Sequence, residues 1–136
     1  SQVFHLGAVG AASRFKLVHN LILGLHRAVL AEGLQFARSL GFDGAKALSV
    51  LLETPAASRA MQTKGHKMAA ADYEPQATLA QHLKDVDLIL EQAQRTGAAV
   101  PLSQVHRTLL ARAVELGLGP MDNSAIMEAF TRPAGS

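Results

Sequence analysis

Lys16 and Asn20 stand four residues apart in the run Gly7-Ala8-Val9-Gly10-Ala11-Ala12-Ser13-Arg14-Phe15-Lys16-Leu17-Val18-His19-Asn20, where two glycines open a long apolar stretch. On a helix this spacing sets both polar heads on one face, about 6 Å apart along the axis. A lysine held beside apolar surface loses solvation of its charged form, which suits it to give and take protons near neutrality. Arg27 continues the same face, while Phe15, Leu21 and Leu25 point elsewhere. Polar groups on an otherwise apolar helix are costly to bury without partners, so the stripe is expected to face solvent, another chain or a ligand cleft. From spacing alone, a lysine whose stem snorkels near the helix start accounts for Lys16 equally well.

A second pair, Lys84 and Asp85, lies on a later amphipathic segment and by itself reads as a solvated charge pair. His5, His26, His66, His82 and His106 form no i, i+4 pairs with one another, which gives no zinc pattern. His106 falls among Leu102, Leu109 and Leu110, as a core or interface histidine does. Gly7 and Gly10 lack the third glycine, the βαβ context and the later acidic residue of a dinucleotide fingerprint, and read as hinge and helix-start glycines. Ser13, Ser58 and Ser124 sit in no nucleophile elbow.

The elements that must position these residues are helical. Val9 to Leu40 is apolar almost all round, which predicts a long helix buried on several sides. Gly41 supplies its C-terminal stop and Asp43 the N-cap of a short helix from Ala45 to about Glu53, ended by Pro55. Ser58 to Met68 reads as a third helix, and 69–74 as a linker. Leu79, Leu83, Val86, Leu90 and Ala93 recur at helical spacing within Pro75 to Arg95, with Gly97 as the stop. Pro101 opens a helix over Leu102 to Leu116, and Asp122 or Asn123 caps a last one reaching Phe130. Val3 to Leu6 reads as the tail of a strand with no partner strand in this chain, and 132–136 as a frayed tail.

The 136 residues suffice for one core, and their 49% hydrophobic content is mainly Ala and Leu, with five Phe, one Tyr and no Trp. The expected fold class is all-α, a multi-helix bundle with one long buried N-terminal helix. A formal charge of +2, with basic residues scattered among acidic ones, gives no footprint for nucleic acid. The apolar runs are too short to span a bilayer, so no membrane partner is expected. With no cysteine there is no thiol nucleophile, thiolate metal site or disulfide, which fits a cytoplasmic setting.

The pattern G-x-x-G-x-x-x-x-x-K-L-x-x-N, followed by Lys84-Asp85, resembles the C-terminal domain of the β-hydroxyacid dehydrogenase family, which includes 3-hydroxyisobutyrate dehydrogenases and 2-hydroxy-3-oxopropionate reductases. The likeness extends to Phe4-His5-Leu6-Gly7 and to Asp122-Asn123-Ser124-Ala125-Ile126. It implies a fold like the C-terminal domain of 6-phosphogluconate dehydrogenase, with 1–6 as the end of an interdomain segment and 7–131 as the helical domain. It also implies that Lys16 is the general acid/base, that Asn20 holds and orients the substrate, and that Lys84, with Asp85, meets the cofactor, NAD or NADP. The family commonly carries Asn where His19 stands and Gly where Ala12 stands; His19 can replace that Asn in orienting a substrate, or sit in a satisfied core contact.

The implied partners are a small hydroxyacid substrate, an N-terminal Rossmann domain of the same protein that holds most of the dinucleotide, and a second copy in a homo-oligomer. The implied activity is the NAD(P)-dependent interconversion of a short β-hydroxyacid and its semialdehyde. A helical scaffold of this kind could instead serve only in assembly, as a non-catalytic interaction module.

Overall fold

The structure, a computed structural model, describes residues 10–131. The strand tail expected at Val3 to Leu6, the segment boundary at 1–6 and the tail 132–136 lie outside the described residues. Among those described there are five α-helices, α1 (Ala11–Ser39), α2 (Gly44–Leu51), α3 (Arg59–Ala70), α4 (Leu79–Thr96) and α5 (Pro101–Glu115), then a 3-10 helix (Asn123–Phe130). No strand forms among them beyond a single bridge between Thr78 and Asp122. The all-α expectation holds.

Local chemistry places most helix ends. Gly10 precedes α1 with φ 89°, a left-handed conformation that a Cβ resists, and Gly41 and Gly97 follow α1 and α4 at φ 94° and 79°. Asp43 accepts from the Lys46 N–H at 3.0 Å to start α2, and Ser58 from the Met61 N–H at 3.0 Å to start α3. Pro101 is the first residue of α5, where its missing N–H costs nothing.

Helix α1, about 43 Å long at 1.5 Å per residue, is the spine on which α3, α4, α5 and the 3-10 helix lean. Its buried residues run only from Gly24 to Leu34. Its first half, with Phe15, Val18 and Ile22, is exposed. The all-round apolar character therefore marks burial on several sides only in part within this chain. The core is aliphatic: Leu34, Leu48, Met68, Leu79, Leu110, Ile126 and Met127 are fully enclosed.

Helix α4 starts at Leu79, four residues after the expected Pro75, because Asp122 claims the intervening backbone. Asp122 is wholly buried, and its Oδ1 accepts from the N–H groups of Gln76 at 2.9 Å and Ala77 at 3.3 Å. Its Oδ2 accepts from the Ser124 hydroxyl at 2.6 Å and N–H at 3.0 Å, and Lys64 Nζ lies 3.0 Å from both oxygens. Helix α4 is then capped by Thr78, which accepts from the Gln81 N–H at 3.2 Å. Its first free N–H groups, those of Leu79 and Ala80, donate to the carbonyls of Met121 and Gly119.

Burial opposes ionisation of Asp122, but the bonds from Ser124, Gln76 and Lys64 outweigh it and hold the carboxyl below the usual carboxylate range. Removing Lys64 leaves that charge enclosed without its cation. Lys64→Met should cost about 3–5 kcal/mol in urea unfolding. A loss below about 1 kcal/mol, the size expected of an exposed pair, would show that the cation is dispensable.

Candidate functional site

The face of α1 that carries Lys16 and Asn20 begins in the open and ends inside the bundle. Lys16 and His19 are exposed, Asn20 is half-buried, and Gly24 and Arg27, one and two turns on, are buried. His19 Nδ1 lies 3.4 Å from Asn20 Oδ1, the one side-chain hydrogen bond among the described residues that joins two of the expected site residues on α1. Beside them Phe15, Val18, His19, Ile22, Leu23 and His26 line a shallow groove of about 230 Å³. The apolar enclosure expected around Lys16 is not supplied by the described residues.

Arg27 departs from the expected outward stripe. It turns into the bundle, 8% exposed, and Nη2 donates to the His82 ring, 3.2 Å from Nε2 and 3.3 Å from Nδ1. His106 of α5 stacks at a tilt on His82 with ring centroids 5.2 Å apart, and is buried as its apolar neighbours suggest. Gly24 permits this approach: a Cβ there would lie 2.5 Å from His82 Nε2. Burial first, then the Arg27 charge and His106, press the His82 pKa down to about 3. Burial and Arg27 press that of His106 down to about 4. Both imidazoles are neutral at pH 7 and the cluster's single charge is on Arg27.

On α4, Lys84 is exposed, and no hydrogen bond or ion pair joins it to Lys16 among the described residues. Asp85, half-buried, accepts from Gln81 Nε2 at 3.3 Å and stands 4.0 Å from His82 Nδ1. His82 and Asp85, three residues apart, share the side of α4 that meets α1, whereas Lys84 points to the next face. The arrangement thus offers an exposed amine with a carboxamide one turn away on α1, and an exposed amine beside a carboxylate on α4. Such groups can bind an anionic or hydroxylated ligand laid over them.

Residues 10–130 match the family model described as NAD-binding of NADP-dependent 3-hydroxyisobutyrate dehydrogenase. The chain belongs to this family. It is 32% identical over 123 residues to the cytokine-like nuclear factor N-PAC of Aedes aegypti, covering 90% of this chain and 22% of that protein. It is 30% identical over 126 residues to glyoxylate/succinic semialdehyde reductase 1 of Arabidopsis thaliana, covering 93% and 44%. Among solved structures, 3-hydroxyisobutyrate dehydrogenase from Salmonella typhimurium superposes with a TM-score of 0.91 at 25% identity, over 96% of this chain and 46% of that one. The chain spans less than half the length of the curated relatives it matches.

Within this helical domain, two constellations escaped the sequence reading: Lys64 with Asp122, and Arg27 with His82 and His106. The first joins residues 58 apart and leaves no local pattern. The second had one signal, Gly24 in the middle of a helix, where a glycine costs stability and makes room for a neighbour.

The buried imidazoles set the response to acid. An unfolded histidine takes its proton near pH 6.5, and these two resist it until about pH 4 and 3. Folded pKa values below the unfolded one mean that the unfolded state binds more protons in this window. Stability should therefore be full above pH 6.5 and fall steadily as pH drops toward 3. Thermal melts across that range check it, and His106→Gln should flatten the slope. A melting temperature constant from pH 7 to 4 would contradict the buried, neutral pair.

Proposed function

We propose that this chain is the substrate-side half of an NAD(P)-dependent dehydrogenase that interconverts a short β-hydroxyacid and its semialdehyde. The observation that carries the reading is the placement of Lys16 and Asn20 one turn apart on the open face of α1, at the family's motif positions. In that reading 7–131 form the helical domain, 1–6 lead in from a Rossmann domain, and Lys84 with Asp85 contact the cofactor. The exposed Lys84 ammonium fits an electron-rich or anionic part of a dinucleotide, and the Asp85 carboxylate fits a ribose hydroxyl or amide donor. A bound nicotinamide would supply or accept the hydride.

The chain's own residues do the rest. In the oxidative direction the Lys16 amine takes the proton from the substrate hydroxyl oxygen as that carbon gives up its hydride. In reduction the Lys16 ammonium returns the proton to the forming alkoxide. Asn20 donates to the substrate through its amide and holds it one helical turn from the amine, and His19 steadies the Asn20 carbonyl. Water is excluded by whatever covers this face, since Lys16 lies open in the helical domain alone.

Three phenylalanines support that covering. Phe15, Phe36 and Phe42 are about half to two thirds exposed, so three of the chain's five phenylalanines lie outside the core. Phe15 borders the site face, where a Rossmann domain would dock. Phe36, Leu40, Phe42 and Val50 border an apolar groove of about 370 Å³ at the other end of α1, which suits a second copy of the chain. We infer a homodimer or higher symmetric oligomer.

In the full-length protein Lys16→Met should lower kcat by roughly 10²- to 10⁴-fold, the usual worth of a positioned general acid/base. Dinucleotide Kd should hardly change. Lys16→Arg should fail equally, because a guanidinium does not release its proton at working pH. An active Lys16→Met enzyme leaves only the assembly role. Sedimentation of the full-length protein should show a dimer or larger, and Phe36→Asp should weaken association about tenfold or more by losing a buried aromatic. A wild-type monomer at micromolar concentration refutes the oligomer.

A further inference from the structure

Two cations are buried among the described residues, Lys64 and Arg27. Lys64 sits on the carboxylate of Asp122. Arg27 sits on no carboxylate: its bonds go to the ring of His82, a neutral partner. Burial lowers the Arg27 pKa, opposed only through space by Asp122 and Asp85. A charge withdrawn from water onto a neutral imidazole costs stability, and an apolar side chain of similar volume would be less costly there. Packing alone does not explain an arginine at this place.

Its surroundings give it another task. Arg27 lies on the same face of α1 as Lys16 and Asn20, eleven and seven residues along, close to whole numbers of turns. Its guanidinium meets α4 at the His82 ring, 3.2 Å from Nε2 and 3.3 Å from Nδ1, and Nδ1 of that ring is 4.0 Å from Asp85 Oδ2 on the next turn of α4. We propose that Arg27 is a positioning residue: by its contact with His82 it fixes the turn of α4 that carries Lys84 and Asp85 in register with the Lys16 and Asn20 face of α1. This rests on the reading of Lys84 and Asp85 as dinucleotide contacts. The arginine thereby links the proton-transfer helix to the cofactor helix.

The test is a double-mutant cycle in the full-length protein, with NAD and NADP Kd and the thermal midpoint measured for Arg27→Met, Asp85→Asn and the pair. Each single change should weaken dinucleotide binding about tenfold, the loss of one charge-assisted bond. The pair should be no worse than the weaker single, because both remove one coupled arrangement. The midpoint of Arg27→Met should equal or exceed that of the wild type, a result that a purely structural arginine does not give. Wild-type binding by Arg27→Met beside weak binding by Asp85→Asn overturns the positioning role and leaves the cofactor contacts standing. Wild-type binding by both Asp85→Asn and Lys84→Met overturns the cofactor reading and this role with it. Additive losses, or lost affinity that tracks a lowered midpoint, overturn the positioning role too. Should Arg27→Met not fold, Arg27→Lys, which keeps the charge but not the reach to His82, carries the same cycle with the same outcomes.

Discussion

One carboxylate holds three parts of the domain together. Asp122 begins the 3-10 helix through Ser124, anchors α3 through Lys64, and gathers the N–H groups of Gln76 and Ala77 before α4. A carboxylate has about four lone-pair sites, and here all are engaged away from water. The backbone follows it: Asp122 N–H donates to the Tyr73 carbonyl, Asn123 N–H to Ala77, and Leu79 N–H to Met121. A segment with no regular structure is thereby fixed as firmly as a strand pair. The start of α4 is set from outside the helix, and with it the height at which His82, Lys84 and Asp85 stand beside α1.

The two buried cations of the domain divide the labour. Lys64 completes a satisfied network, where a compact ammonium centred between two oxygens is the right shape. Arg27 spans a gap between helices that no carboxylate fills, where a planar fork on a long stem reaches an imidazole. The first arrangement joins α3 to the 3-10 helix and the segment before α4; the second joins α1 to α4.

What the sequence disclosed depended on range. Asp43, Gly41, Gly97 and Pro101 act within four residues of themselves, and their caps and stops were legible. The apolar repeat of α4 from Leu79 to Ala93 was legible for the same reason. Its start was not, since Gln76 and Ala77 look as helical as their neighbours until a carboxylate 46 residues away takes their N–H groups. The roles expected of Lys16, Asn20, Lys84 and Asp85 rest on motif likeness, which says nothing of what lies between them. Arg27 was placed on the right face of α1 but given the wrong surroundings, because a helical wheel shows direction and not where along the axis a neighbour begins to cover it.

That last distinction explains the division of α1 itself. Its composition is apolar from end to end, yet the bundle covers only Gly24 to Leu34. Hydrophobic burial is proportional to area removed from water, and Phe15, Ile22, Val29 and Phe36, at intervals of seven, leave apolar surface of α1 outside the bundle. Seven-residue spacing keeps those four side chains nearly in line along the axis, a seam and not a scatter. The polar face with Lys16 and Asn20 borders the N-terminal part of this seam. A surface docked on Phe15 and Ile22 would reach over the neighbouring Lys16 amine, so in the proposed reading one apolar contact would both complete the assembly and exclude water from that amine.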